Sequence, residues 1–223
     1  MPASTNIALL KVVVFVLSLL PLAYYGWGAW QDTLGANPIE AVTRGMGTWT
    51  LNFLLITLAV TPVRKLTGWH GALRLRRMLG LFTFFYAALH LTSYLWFDQF
   101  FDWGEIAQDI LKRPFITVGM AAFALLVPLA VTSSNFAIRR LGGRRWQALH
   151  RTVYVIGILA VLHYSWLVKV DQSQPLLYGG ILFVLLGLRT WWREQERREQ
   201  VAGKYAPNQS RIRNRIIPIL PRR

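Results

Sequence analysis

RRMLGLFTFFYAALHLTSY, residues 76–94, decides how this chain is read. Two arginines open the stretch, a long uncharged and mostly apolar run follows, and one histidine, His90, lies near its far end. Basic residues at one edge of such a run mark a helix that crosses a bilayer from its basic side, because a hydrocarbon core about 30 Å thick takes roughly 20 helical residues. Similar runs recur on both sides. Six spans are expected, at Ile7–Trp30, Gly45–Val63, Met78–Phe97, Phe115–Thr132, Ala148–Val168 and Pro175–Trp192, the second and fourth being the shortest. The first is read as a retained helix rather than a cleavable signal, since Met1 to Asn6 carries no basic side chain and the apolar run behind it is long.

Composition agrees with a membrane protein. Of 223 residues 54% are apolar and 16% charged, and the mean hydropathy is +0.34, too apolar for a soluble domain of this size. The net charge of +15 does not point to nucleic acid, because the basic residues fall between apolar runs and report topology instead. With no cysteine, disulfides, iron–sulfur clusters, thiolate metal sites and covalent haem attachment are excluded, and four histidines remain as the strong nitrogen ligands.

Charge placement sets the orientation. The loop after the second span carries Arg64, Lys65, Arg74, Arg76 and Arg77; the loop after the fourth carries Arg139, Arg140, Arg144 and Arg145; ten more basic residues run from Arg189 to the end. Lysine and arginine are retained on the cytoplasmic side, so these regions are expected inside and the loops with Asp32, Glu40, Asp98, Asp102, Glu105, Asp109 and Asp171 outside. The expected fold class is all-α, a polytopic membrane six-helix bundle with both termini cytoplasmic. Residues 1–192 form its transmembrane domain and 193–223 a basic cytoplasmic tail, which suits a solvated arm lying on anionic lipid and is too short for a nucleotide-binding unit. No internal repeat is evident.

The histidines carry the chemistry. His90 lies thirteen residues beyond Arg77, and His163 thirteen beyond His150, which sits at the basic edge of the fifth span. At about 1.5 Å per residue, His90 and His163 are expected at one depth in the outer half of the bilayer, where facing imidazoles on two helices can clamp a haem iron. A single intramembrane histidine is explained as readily by a hydrogen bond to a neighbouring helix. Two at matching depth, with no carboxylate well inside any span, favour a cofactor over an ion relay. His150 is a candidate ligand for a second haem but lacks an imidazole partner, the corresponding depth on the third span being taken by Arg76 and Arg77, which can pair with haem propionates or a flavin phosphate. Arg144 belongs to the same basic group. His70, beside Trp69, is read as a solvated loop residue. Tyr86 and Tyr94, four residues either side of His90, share its face and can line a pocket, although ordinary helix packing explains them almost as well. Most of the ten tryptophans are read as interfacial anchors.

The quoted stretch, together with RRWQALHRTVYVIGILAVLHY at residues 144–164 and KRPFITVGM at residues 112–120, resembles the ferric reductase-like transmembrane domain family, and within it the haem-binding membrane subunits of bacterial protein-methionine-sulfoxide reductase systems. The resemblance runs over essentially the whole chain. It implies a multi-pass protein of the bacterial inner membrane with b-type haem, one or two, and an associated FMN. Such a protein passes electrons from membrane quinol to a periplasmic molybdopterin-containing methionine-sulfoxide reductase catalytic subunit that repairs oxidised proteins. His90, His150 and His163 match the family's haem-associated histidines and His70 matches none. The larger NADPH oxidase relatives carry two histidines in each of the two helices, whereas the third span here has one, which leaves the haem count and the role of His150 open.

The residues alone also admit a small transporter, a partner anchor without haem, or a self-contained ferric reductase. On the leading reading the chain is the electron-transfer subunit of an oxidoreductase complex rather than its catalytic subunit.

Overall fold

The structure is a computed structural model that describes residues 3–205. It is helical throughout that range: α1 Ala3–Trp30, α2 Pro38–Thr67, α3 Arg76–Ser93, α4 Trp103–Lys112, α5 Pro114–Val131, α6 Asn135–Leu141, α7 Gly143–His150, α8 Val153–Leu167 and α9 Ser173–Tyr205. A 3₁₀ turn, His70–Arg74, leads into α3, and a π-helical turn, Tyr94–Asp98, continues it. The described residues fall into two compact units, one ending at Leu186 and one beginning at Gly187.

Local chemistry explains the boundaries. Asn37 caps α2 by accepting from the Glu40 amide, Pro38 supplies a first-turn residue with no amide to satisfy, and Gly68 closes the helix in the left-handed region at φ 70°. These caps stretch α2 to 30 residues, so the second span is not among the shortest, contrary to expectation. Asp102 caps α4 through the amides of Gly104 and Glu105, and Pro114 opens α5.

Among the described residues five helical segments are long and apolar enough to cross a membrane: α1 from Ile7, α2, α3 with its continuation to Asp98, α5, and α9 to Val201. The protein is a multi-pass membrane protein. The expected fifth span, Ala148–Val168, is not one helix. It divides at Arg151 and Thr152 into α7 and the 15-residue α8, where Thr152 Oγ1 bonds back to the Leu149 carbonyl at 2.8 Å and competes with the helical ladder. The expected tail at 193–223 begins inside α9, where Arg197 and Arg198 both pair with Glu194, at 2.9 and 3.0 Å; residues 206–223 lie outside the described residues.

Within the first unit α2 packs chiefly on α3, and α5 chiefly on α8. Tyr86, fully buried, joins three helices. Its hydroxyl donates to the Ser18 carbonyl at 2.6 Å and accepts from the Leu22 amide at 3.3 Å, and its ring stacks on Phe53 at 5.3 Å. Ser18 O and Leu22 N are an i, i+4 pair, so the phenol sits against one rung of α1, beside Pro21. Tyr86 thus serves packing, whereas Tyr94 reaches the cavity described below.

Tyr86→Phe is expected to lose about 1–2 kcal/mol of stability, since it removes the buried hydroxyl that bonds to α1 at Ser18 and Leu22. Thermal unfolding of the detergent-solubilised protein checks this, and an unchanged midpoint would mean that these bonds add nothing to stability.

Candidate cofactor site

His90 and His163 are brought together. Their ring centroids lie 6.0 Å apart with planes at 75°. His90 Nδ1 is 2.8 Å from the Thr43 carbonyl on α2, and His163 Nδ1 is 2.7 Å from the Phe115 carbonyl on α5. A carbonyl can only accept, so each Nδ1 carries the proton and each Nε2 is left with a lone pair. Each ring also lies flat against a glycine. A β-carbon at Gly47 would come within 3.1 Å of the His90 ring, and one at Gly119 within 2.8 Å of His163 Nδ1. The accepting carbonyl and the glycine are four residues apart on both helices, so one helical turn provides the bond and the space beside it.

The match extends along the whole cavity between the rings. It has a volume of about 710 Å³, within the range of cofactor sites. Its α2 lining recurs on α5 at a constant separation of 72 residues, as in Thr43/Phe115, Gly47/Gly119, Leu51/Phe123 and Leu54/Leu126. Its α3 lining recurs on α8 at 73, as in Thr83/Ile156, Ala87/Ala160, His90/His163 and Tyr94/Leu167. The site is therefore built twice, from the pairs α2–α3 and α5–α8, although the sequence analysis finds no repeat. Only backbone-proximal positions are identical between the copies, glycine, alanine, histidine and one leucine, and the remaining pairs differ in chemistry.

The walls are apolar at one end, with Leu54, Leu126 and Ile156, and polar at the other, with Glu40, Arg44, Asp98, Gln99 and Arg113. Behind the polar end lies Asp109 on α4, buried, and accepting from Tyr94 Oη at 3.2 Å, Gln99 Nε2 at 2.9 Å and Arg113 Nε at 3.2 Å. From sequence alone Asp109 reads only as a loop charge. Its signal was the amphipathic pattern of residues 103–112, which turns Ile106 and Asp109 inward together.

A second cavity of about 350 Å³ lies toward the basic loops and shares Leu54, Thr83 and Leu126 with the first. It brings together Arg76, Arg77, Trp146 and His150. Trp146 stacks on the His150 ring at 3.9 Å and donates to the Thr132 carbonyl at 2.8 Å. Thr132 Oγ1 gives its proton to the Pro128 carbonyl at 2.6 Å, so it accepts from His150 Nε2–H at 3.1 Å and leaves Nδ1 with the lone pair, the opposite tautomer to the other two. Arg76 and Arg77 at the start of α3 share this cavity with His150, and no second imidazole lines it. Arg144 is exposed on α7 and lines neither cavity, and His70 is exposed, as expected.

A model of the family described as "Ferric reductase like transmembrane component" matches residues 45–161, which takes in His90 and His150 and ends just before His163. The chain is 59% identical over 197 residues to a protein of Azospira oryzae named "Protein-methionine-sulfoxide reductase heme-binding subunit MsrQ", covering 88% of this chain and 83% of that one. Proteins of the same name are similar in Rhodospirillum rubrum, at 60% identity over 179 residues with 80% and 86% covered, and in Xanthomonas oryzae, at 49% over 213 residues with 93% and 97% covered.

Substituting alanine for a helical glycine ordinarily stabilises by about 1 kcal/mol. Gly119→Ala is expected to do the reverse, because a methyl 2.8 Å from His163 Nδ1 forces the ring off the Phe115 carbonyl, and Gly47→Ala, at 3.1 Å, to be milder. Melting of the two variants side by side tests the order; a more stable Gly119→Ala protein would contradict it.

Proposed function

The chain belongs to the family of ferric reductase like transmembrane components, and within it to the heme-binding subunits of protein-methionine-sulfoxide reductases; on that premise we propose that it is a membrane b-type cytochrome holding haem between His90 and His163. One observation carries this reading: two imidazoles face each other at 6.0 Å across a cavity of about 710 Å³ with their Nδ1 atoms already engaged. Two nitrogens each about 2 Å from a shared metal put the ring centres about 6 Å apart. Among the described residues no cluster of three histidines, cysteines or carboxylates exists. A metal held here by two protein nitrogens would bring its other donors with it, as an iron porphyrin does.

When bound, the iron porphyrin supplies one-electron carriage. The protein supplies the rest. The Thr43 and Phe115 carbonyls fix the tautomer and aim of each imidazole and raise its basicity as a ligand. Leu54, Leu126 and Ile156 keep the inner end dry, which raises the cost of charging the site and so tunes its potential. Helix pairs built on the same pattern hold the two ligands without reorganisation.

The proposed route runs from membrane quinol through this site to a periplasmic molybdopterin-containing methionine-sulfoxide reductase catalytic subunit, with the acidic-loop end outward in the bacterial inner membrane. The chain is then the electron-transfer subunit and repair chemistry belongs to its partner. The second cavity serves as a further redox site. Its Arg76 and Arg77 would suit an acidic group, haem propionate or FMN phosphate, and His150 Nδ1 would offer one nitrogen ligand.

His90→Ala and His163→Ala are each expected to remove the haem band that sharpens on reduction, at unchanged expression and monodispersity; full retention of the band in both would refute the assignment. For the second cavity, haem and FMN are quantified per chain in parent, His150→Ala and Arg77→Gln proteins. Loss of either group in these variants, with the His90–His163 signal kept, is the expected result, and identical contents in all three would remove the cavity from the route.

A further inference from the structure

The first cavity carries charged side chains at one end only. Its inner end is formed by Leu54, Leu126, Ile156 and Thr83, whose hydroxyl is engaged by the Leu79 carbonyl, and its other end by Gln99, Arg113, Asp98 and the paired Arg44 and Glu40. A b-type porphyrin has the same asymmetry, with two carboxylate side chains on one edge and only methyl and vinyl groups on the opposite edge. We propose that the polar end is a carboxylate-binding rim anchored by Arg113, with Asp109 as its positioning residue, so that the porphyrin lies with its acidic edge toward the acidic loops. This rests on the haem reading above.

Asp109 is 8% exposed. It takes Tyr94 and Gln99 on one oxygen and Arg113 on the other. The three donors line the cavity while Asp109 stands behind them, the arrangement in which a carboxylate orients an arginine for another acceptor. Asp109 engages Arg113 through Nε, and the forked terminal nitrogens are left for a planar anion.

The chain spends backbone strain to build this rim. The π turn at Tyr94–Asp98 ends in a Gln99 amide bonded to the Tyr94 carbonyl at 3.1 Å, and it is followed by Phe100 and Phe101 at φ 45° and 60°. Bulky residues seldom adopt that left-handed region, and such outliers gather at ligand sites. The wide turn lets Tyr94 and Gln99 meet one carboxylate. One turn from Gly47, Thr43 lines the same cavity, and its Oγ1 is buried without a hydrogen-bond partner. Arg44, at the same end, is held by Glu40 at 2.5 Å and is a lesser contributor.

The test uses the full-length haem-free protein, reconstituted with protohaem IX or with its dimethyl ester, whose carboxylates are blocked. The parent is expected to bind protohaem at least about tenfold more tightly than the ester, a difference equal to about 1.4 kcal/mol. In Arg113→Gln the preference should shrink to within about twofold, with Arg113→Lys between, while the six-coordinate spectrum is kept. In Asp109→Asn the preference should weaken without being abolished. The comparison in the unsubstituted protein needs no variant to fold. Equal affinity of the parent for both porphyrins, with a His90–His163 spectrum present, overturns the rim and leaves the haem reading standing; failure to bind either porphyrin overturns both.

Discussion

Two hydrogen bonds from imidazole to backbone hold the site together. His90 is tied to Thr43 and His163 to Phe115, each across a helix pair and each beside a glycine that makes the approach possible. A side chain with two free torsions inside a bilayer would otherwise sample several positions, and a neutral histidine with an unpaired N–H in hydrocarbon would be costly. Tying Nδ1 satisfies the donor and commits Nε2 to the cavity. The same contacts that orient the ligands also lock α3 onto α2 and α8 onto α5.

The duplicated architecture follows from this constraint. Two helix pairs with carbonyl, glycine and histidine in equivalent places bury their Nε2 lone pairs against one another, and the alanines Ala87 and Ala160 leave room between them. The register ends at the break between α7 and α8, and beyond it Arg76 and Arg77 share the second cavity with His150. The facing histidine pair therefore lies in the duplicated part of the fold, and His150 stands outside it. Trp146 and Thr132 fix the His150 tautomer in their own way. Leu54, Thr83 and Leu126 form the only wall that both cavities share among the described residues, so whatever occupies one is separated from the other by the thickness of a few side chains.

Much of this was legible in the residues. The apolar runs located the helices because the length of a membrane span is set by the bilayer, and the thirteen-residue spacings put His90 and His163 at one depth because helical rise is constant. What escaped was whatever depends on contacts between helices. The break at Arg151–Thr152 rests on a threonine bonding back to Leu149, which apolar composition does not register. The caps at Asn37 and Gly68 lengthened α2 beyond its apolar run. Tyr86 and Tyr94 share a face by spacing, yet one bonds to α1 and the other enters the cavity rim, since the neighbours differ. The repeat was hidden because its conserved content is a handful of small residues and a histidine at offsets of 72 and 73, too sparse to see along the chain.

In the proposed function His90 Nε2 and His163 Nε2 hold one iron from both sides. Electron paramagnetic resonance of the oxidised protein tests it most directly, because two imidazoles leave ferric haem low-spin whereas a single one leaves it high-spin. The parent is expected to show a low-spin bis-imidazole signal that is lost when either His90 or His163 is replaced by alanine. A parent signal that is high-spin throughout, or a low-spin signal that survives both replacements together, would contradict it.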